Sequence, residues 1–382
     1  MTKTYAELLR EARSIIPEVS TAEAELLAKA GANVIDVRES TEWEQGHLPS
    51  AVHLSKGFLE LNIERIVPDH DAKVVLYCAA GVRSLFAARA MVELGYTDVA
   101  SMTGGFEAWK SEARDWIAPV VLSPQQKQRY SRHLLIPEVG TEGQARLLRS
   151  KVLLIGAGGL GSPAMLYLAA AGVGTIGIVD FDTVDLSNLQ RQIVHTSDRV
   201  GRRKVESAAE TINALNPDVN VIAHEEMLTE ANVERLIAGY DIVVDGTDTF
   251  ETRYTLNDAC VRAGIPVVHA SVFRFEGQVT VFKPFDGPCY RCLYPTPPPP
   301  ELAPGCSVAG VLGVVPGVTG LLQATEAIKL LLDIGESLAG RLLIYDALDG
   351  TFQELRLRRD PACPACGDSV TKPATSREVP VT

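Results

Sequence analysis

The chain reads as an α/β protein of two units, the second a nucleotide-binding fold with a mixed sheet. Three observations predict this. At 382 residues the chain exceeds one ordinary domain. A turn of the form G-x-G-x-x-G, Gly156-Ala-Gly158-Gly159-Leu-Gly161, follows the apolar run 152–155 and precedes a helical pattern. Beyond Val267 the strand-like runs lengthen and follow one another, as antiparallel strands do.

In the first unit, residues 1–118, the β-rich runs 33–37, 73–77 and 98–102 alternate with helices expected at 84–94 and 106–113. Residues 119–127 form a connector and a helix start, with Ser123 as N-cap and Pro124 at the first helical position. The second unit, 128–367, has strands at 152–155, 175–180 and 241–245, with a helix at 162–171. Later strands are expected at 277–283, 340–346 and 353–358. The prolines of 296–301 forbid helix and central strand, so that stretch is an exposed loop. The polar tail 368–382 is expected to be disordered.

Composition narrows the function classes. A net charge of -12 argues against a nucleic-acid partner, which needs a basic surface. The longest apolar stretch, 308–322, is broken by Gly310, Gly313, Pro316 and Gly317. It is too short to span a bilayer and reads as a buried, kinked core helix. Met1 to Glu18 carries charges throughout and lacks the apolar segment of a signal peptide. Seven cysteines, four of them in two C-x-x-C pairs, suggest thiol chemistry and metal in a reducing compartment, the cytoplasm.

Cys78 ends the strand at 73–77 and opens the loop Cys78-Ala-Ala-Gly-Val-Arg83-Ser84, after which a helix starts. Such a loop turns successive N–H groups toward one point, and Arg83 adds positive charge; both favour a thiolate. The bland alternative is an inert cysteine at a strand end. Together with Asp36-Val-Arg38-Glu39, Glu42-x-x-x-Gly46-His47-Leu-Pro-x-Ala51 and Gly104-Gly105-Phe106-x-x-Trp109, the loop resembles the rhodanese family. The resemblance implies a rhodanese-like domain in which Cys78 carries sulfane sulfur as a persulfide, with Asp36 and Arg38 structural. Phosphatases on the same scaffold carry C-x5-R, whereas this chain has the shorter C-x4-R, which favours sulfur over phosphate.

The glycine turn with Asp180 after the next strand also fits an NAD-dependent dehydrogenase, the main rival reading. The segment Asp180-Phe-Asp182-x4-Ser187-Asn188-Leu-Gln190-Arg191-Gln192, followed by Lys204, weighs against it. Cations converging beside phosphates suit a reaction that builds charge on a triphosphate. Lys204 by itself would be read as a solvated residue. Together these residues resemble the MoeB/ThiF group of the ubiquitin-activating superfamily, a Rossmann-like fold. The resemblance implies that Asp180 holds the ribose of ATP, that Asn188, Arg191 and Lys204 bind its phosphates, and that Asp248 coordinates Mg2+. The family usually has Asn where this chain has Thr249, so Thr249 is assigned no role. Arg132 matches an arginine that reaches into the partner's site in a homodimer.

Cys289-Tyr-Arg-Cys292 and Cys363-Pro-Ala-Cys366 have the spacing of a structural Zn2+ site. Two redox motifs would be the alternative, but the βαβ context is missing. Cys306 matches a cysteine that forms acyl-disulfide links in sulfur-transferring relatives, and Cys260 reads as a core residue. The implied function is ATP-dependent adenylation of a ubiquitin-like sulfur carrier ending in Gly-Gly, followed by sulfur transfer from Cys78 to give the carrier thiocarboxylate. Carriers serving molybdopterin, thiamine, tRNA thiolation or cysteine synthesis fit equally, and thiosulfate or a cysteine desulfurase is the expected donor. A rhodanese-like domain serving only as a binding module is the remaining alternative.

Overall fold

The computed structural model describes residues 3–117, 122–297 and 310–372. The chain divides into two compact units between residues 121 and 122.

The first unit is a five-stranded parallel sheet: β1 (Glu18–Val19), β2 (Asn33–Asp36), β3 (Ala51–His53), β4 (Val74–Tyr77) and β5 (Val99–Met102), in the order β1-β5-β4-β2-β3. The central strand β4 is buried on both faces, as parallel strands covered by helices are. Val74 and Leu76 join a core with Ile35, Leu59 and Met91, while Val75 and Tyr77 face Met102, Phe106 and Trp109. The helices Val82–Glu93 and Gly105–Ser111 lie within two residues of the expected spans. The helices Tyr5–Ile15, Thr21–Lys29 and Leu59–Ile66 and the short edge strands β1 and β3 had no expectation attached. The first two of those helices announce themselves by capping boxes, Thr4 with Glu7 and Ser20 with Glu23.

Asp36 and Arg38 form an ion pair inside this unit, at 0% and 4% side-chain exposure. Arg38 donates to both carboxylate oxygens and to the Gly46 carbonyl, and its guanidinium lies 4.2 Å from the Phe106 ring centroid. Removing one partner leaves the other charge buried and uncompensated. Asp36→Ala is therefore expected to cost about 3–5 kcal/mol in urea unfolding of this unit. A loss below about 1 kcal/mol would show that the pair is not a structural keystone.

The second unit holds eight strands: β6 (Lys151–Ile155), β7 (Thr175–Val179), β8 (Asn220–His224), β9 (Ile242–Asp245), β10 (Val267–Phe273), β11 (Glu276–Phe282), β12 (Arg341–Asp346) and β13 (Thr351–Arg356). Their order is β13-β12-β11-β10-β9-β6-β7-β8, parallel from β8 to β10 and antiparallel from β10 to β13, the expected mixed sheet. Along β6, Val152 and Leu154 pack on one face and Leu153 and Ile155 on the other. The chain enters through the helix Pro124–Arg129, which Ser123 caps in a box with Gln126.

The strand order reverses at β6, whose neighbours β7 and β9 diverge on either side. In open α/β sheets that reversal leaves a crevice beyond the carboxyl ends of the strands. Here those ends deliver Gly156, Asp180 and Gly246.

Within the described part of the apolar stretch, 310–322, the helix begins only after Gly313. The helix is Val314–Leu332, and Pro316 falls in its first turn, where the missing N–H has no helical partner to lose. Its Gln323 amide donates to the carbonyls of Asp245 and Val268, tying it to β9 and β10. No described helix is long and apolar enough to cross a membrane.

Candidate functional site

Cys78 leaves the end of β4 and is 1% exposed. Its carbonyl accepts the N–H of Phe106 at 2.8 Å, and the carbonyl of Ala79 accepts that of Glu107 at 3.0 Å. These bonds engage the first two carbonyls of the loop on the helix that follows β5. Gly105 makes the approach possible, because a Cβ there would overlap the Cys78 carbonyl. The sulfur accepts the Gly81 N–H at 3.2 Å and the Ser84 hydroxyl at 3.6 Å, and Ser101 donates to Ser84 at 2.9 Å. Donors converging on a buried sulfur are what a thiolate or persulfide requires. Arg83 does not bond to the sulfur; both its terminal nitrogens donate to Glu42, a residue the sequence did not single out. The Arg83 hydrogen bonds hold the Glu42 carboxyl down at about 2.

In the second unit the crevice opens into a cavity of about 870 Å3, within the range of nucleotide-sized sites. Gly156, Gly158, Gly159, Asp180, Arg191, Lys204 and Asp248 all line it. Gly161 does not; a Cβ there would strike the Gly156 carbonyl, so its place is the close packing of turn against helix. The Asp180 carboxylate accepts the N–H groups of Ala157 and Asp182, both at 2.8 Å, and so joins the glycine turn to the end of β7. Lys204 is not a solvated residue. It is 6% exposed, and Asp182 holds its ammonium at 2.8 Å against the cavity wall. Arg191 has no ion pair among the described residues and donates to the Ser187 carbonyl.

The turn that carries Asp248 is braced from below. Asp245 accepts the N–H and hydroxyl of Thr247 on one oxygen and the His269 Nδ1–H, at 2.7 Å, on the other. Burial pushes the Asp245 carboxyl up, yet His269, the nearby Arg253 charge and the Thr247 hydroxyl together outweigh it and the net direction is down. Burial also holds His269 below its usual range, against the pull of the carboxylate beside it. His269 lines the cavity and was not foreseen; a histidine within the apolar run of β10 was the available signal. Thr249 caps the helix Phe250–Ala263 by accepting the Thr252 N–H, a task asparagine performs equally well.

Besides Gly161, two expected residues lie away from the cavity lining. Asn188 turns back to accept the Asp185 N–H in a short 3-10 helix, and Arg132 is exposed on the helix Ser131–Leu134. Cys306 lies outside the described residues. Cys260 is 1% exposed among apolar side chains, and burial pushes its thiol up.

The sulfur atoms of Cys289, Cys292, Cys363 and Cys366 lie within 4.8 Å of one another, with separations of 3.5, 3.6 and 3.9 Å along three edges. A tetrahedron with Zn–S bonds near 2.3 Å has S···S edges of about 3.8 Å. The donor set therefore fits Zn2+, with all four positions closed. The Asp360 N–H reaches the Cys292 sulfur at 3.4 Å, a bond suited to a metal-bound thiolate. Elemental analysis is expected to find about one zinc per chain, falling below about a tenth in a Cys363→Ser/Cys366→Ser double variant. Undiminished metal in that variant would remove the cluster from consideration.

Residues 130–365 match the ThiF family and residues 20–112 a rhodanese-like domain. The SAMP-activating enzyme E1 of Haloferax volcanii is 56% identical over 247 residues, 65% of this chain and 91% of that protein. The sulfur carrier protein adenylyltransferase of Thermus thermophilus is 49% identical over 253 residues, 65% of this chain and 93% of that one. The probable adenylyltransferase/sulfurtransferase MoeZ of Mycobacterium tuberculosis is 53% identical over 248 residues, 64% of this chain and 63% of its own length. Among solved structures, E. coli MccB with ATP superimposes with a TM-score of 0.57 at 24% identity, over 64% of this chain and 75% of that one, a likeness of fold.

Proposed function

The chain belongs to the ThiF family, with a rhodanese-like domain ahead of that region, and from this premise we propose that it activates a ubiquitin-like sulfur carrier with ATP and passes sulfur to it from Cys78. The observation that carries the reading is one cavity lined by a glycine turn, Arg191, Lys204 and Asp248, in a chain that also cradles a cysteine in a donor-lined loop. Three relatives named as adenylyltransferase or as activating enzyme support it.

In the first half, a carboxylate oxygen of the carrier's terminal glycine attacks the α-phosphorus of ATP, and pyrophosphate leaves. Gly158, with no side chain toward the cavity, lets backbone approach the phosphates, while Lys204 and Arg191 offset the charge that gathers on the leaving group. Asp180 fixes the turn and offers its remaining lone pairs to the ribose. Asp248, aimed by the Asp245–His269 brace, would hold Mg2+, which supplies Lewis-acid charge to the phosphates. In the second half, the outer sulfur of the Cys78 persulfide attacks the acyl carbon and AMP leaves. The resulting acyl disulfide is opened at the Cys78 sulfur by a thiol, a role proposed for Cys306, which frees the thiocarboxylate. The reading extends to a homodimer in which Arg132 serves the partner's site.

The test is the intact mass of a Gly-Gly carrier incubated with the protein, Mg-ATP and thiosulfate. Replacement of one oxygen by sulfur, with pyrophosphate released, is the expected result. Tight binding of NADH with no pyrophosphate released from any carrier would return the site to the dehydrogenase reading.

A further inference from the structure

Arg83 closes the Cys78 loop in sequence, yet its charge is spoken for. Its two terminal nitrogens donate to the two carboxylate oxygens of Glu42, each at 2.6 Å. Such a bidentate pair is the strong form of an arginine–carboxylate contact. Glu42 is itself fixed, in the four-residue helix Ser40–Trp43, where its Oε2 also accepts the Glu39 N–H at 3.1 Å. Both side chains are about a third exposed, at 37% and 31%, so the pair is open to solvent and not deep in the core. The sulfur meanwhile takes its hydrogen bonds from Gly81 and from the Ser101–Ser84 hydroxyl chain, all of them neutral donors. With Glu42 ionised and Arg83 compensated, the loop carries a net negative charge as soon as Cys78 is a thiolate.

We propose that Glu42 sets the donor selectivity of this loop: by cancelling Arg83 it disfavours small dianionic sulfane donors and leaves persulfides borne on carbon as the preferred class. The proposal rests on the sulfur-transfer reading of Cys78. With thiosulfate, the Cys78 thiolate attacks the sulfane sulfur, the S–S bond breaks and sulfite leaves with the electron pair. With a persulfide R–S–SH, the same attack on the outer sulfur expels the thiolate R–S−. The first leaving group departs as a dianion past the Glu42 carboxylate, whereas the second carries a single charge. At a separation of several ångströms near a surface, one carboxylate acting on a dianion changes affinity by roughly tenfold.

The experiment follows Cys78 persulfide by intact mass as thiosulfate or free cysteine persulfide is varied, in wild type, Glu42→Gln and Glu42→Asp. Glu42→Gln is expected to lower KM for thiosulfate about tenfold with kcat changed by less than about twofold, and to leave cysteine persulfide unaffected. Glu42→Asp, which keeps the charge, should behave as wild type. A second measurement needs no variant: added salt screens repulsion, so the wild-type KM for thiosulfate should fall as ionic strength rises. A rising KM would mean that Arg83 attracts the dianion, and would overturn the proposal whether or not the variants fold. Equal changes for both donors would reduce Glu42 to a structural residue. If neither donor charges Cys78, the sulfur-transfer reading falls and the proposal with it, an outcome distinct from the others.

Discussion

A Cys78→Ala chain should exchange pyrophosphate into ATP at the wild-type rate while forming less than about a thousandth of the carrier thiocarboxylate. The separation follows from where the residue sits. Cys78 follows β4 in the first unit, and the described residues that line the nucleotide cavity all belong to the second. The loop around it is held by bonds from Phe106 and Glu107 to backbone carbonyls, which alanine keeps. Loss of a buried sulfur leaves a small void, costing on the order of 1 kcal/mol, too little to unfold the unit. A variant that still converts the carrier would show that sulfur reaches the acyl-adenylate by another route, and the rhodanese-like unit would become a binding module.

Lys204→Met carries the second large effect, a fall of about 10²–10³ in pyrophosphate exchange. Methionine matches the length of the stem, so packing at this 6% exposed position survives and only the charge is removed. The partner Asp182 has a side chain 50% exposed and can be hydrated once unpaired, so stability should change little. A variant with full exchange would leave Lys204 as no more than a clasp between Asp182 and the helix Lys204–Leu215. Persulfide formation on Cys78 serves as the internal control, since it draws on nothing in the cavity.

These two sites were legible in the sequence because their geometry is local. A glycine turn between strand and helix, or a cysteine between β4 and the helix Val82–Glu93, carries its own dihedral requirements over six or seven residues. What escaped was long-range pairing. Glu42 and Arg83 are 41 residues apart, and Asp245 meets His269 only because β9 and β10 lie side by side in register. No periodicity encodes such a meeting. Asn188 shows a local role that its type does not announce: its Oδ1 accepts the Asp185 N–H in the turn that presents Arg191. The apolar stretch near 308–322 misled because its glycines suggested breaks within a helix, while the helix starts after Gly313 and runs to Leu332.

Cys289 and Tyr290 are consecutive, and they belong to different structures. The cysteine is a corner of the sulfur tetrahedron, while the tyrosine, 2% exposed, forms part of the cavity wall and packs edge-on against His269. Its backbone N–H is anchored on Asn257 at 2.8 Å, so there is little slack between the two. The cluster clamps chain segments 74 residues apart, and opening it would free the segment that carries this wall. Metal starvation or oxidation of the thiols would then register first as a loosened nucleotide site, ahead of any general unfolding.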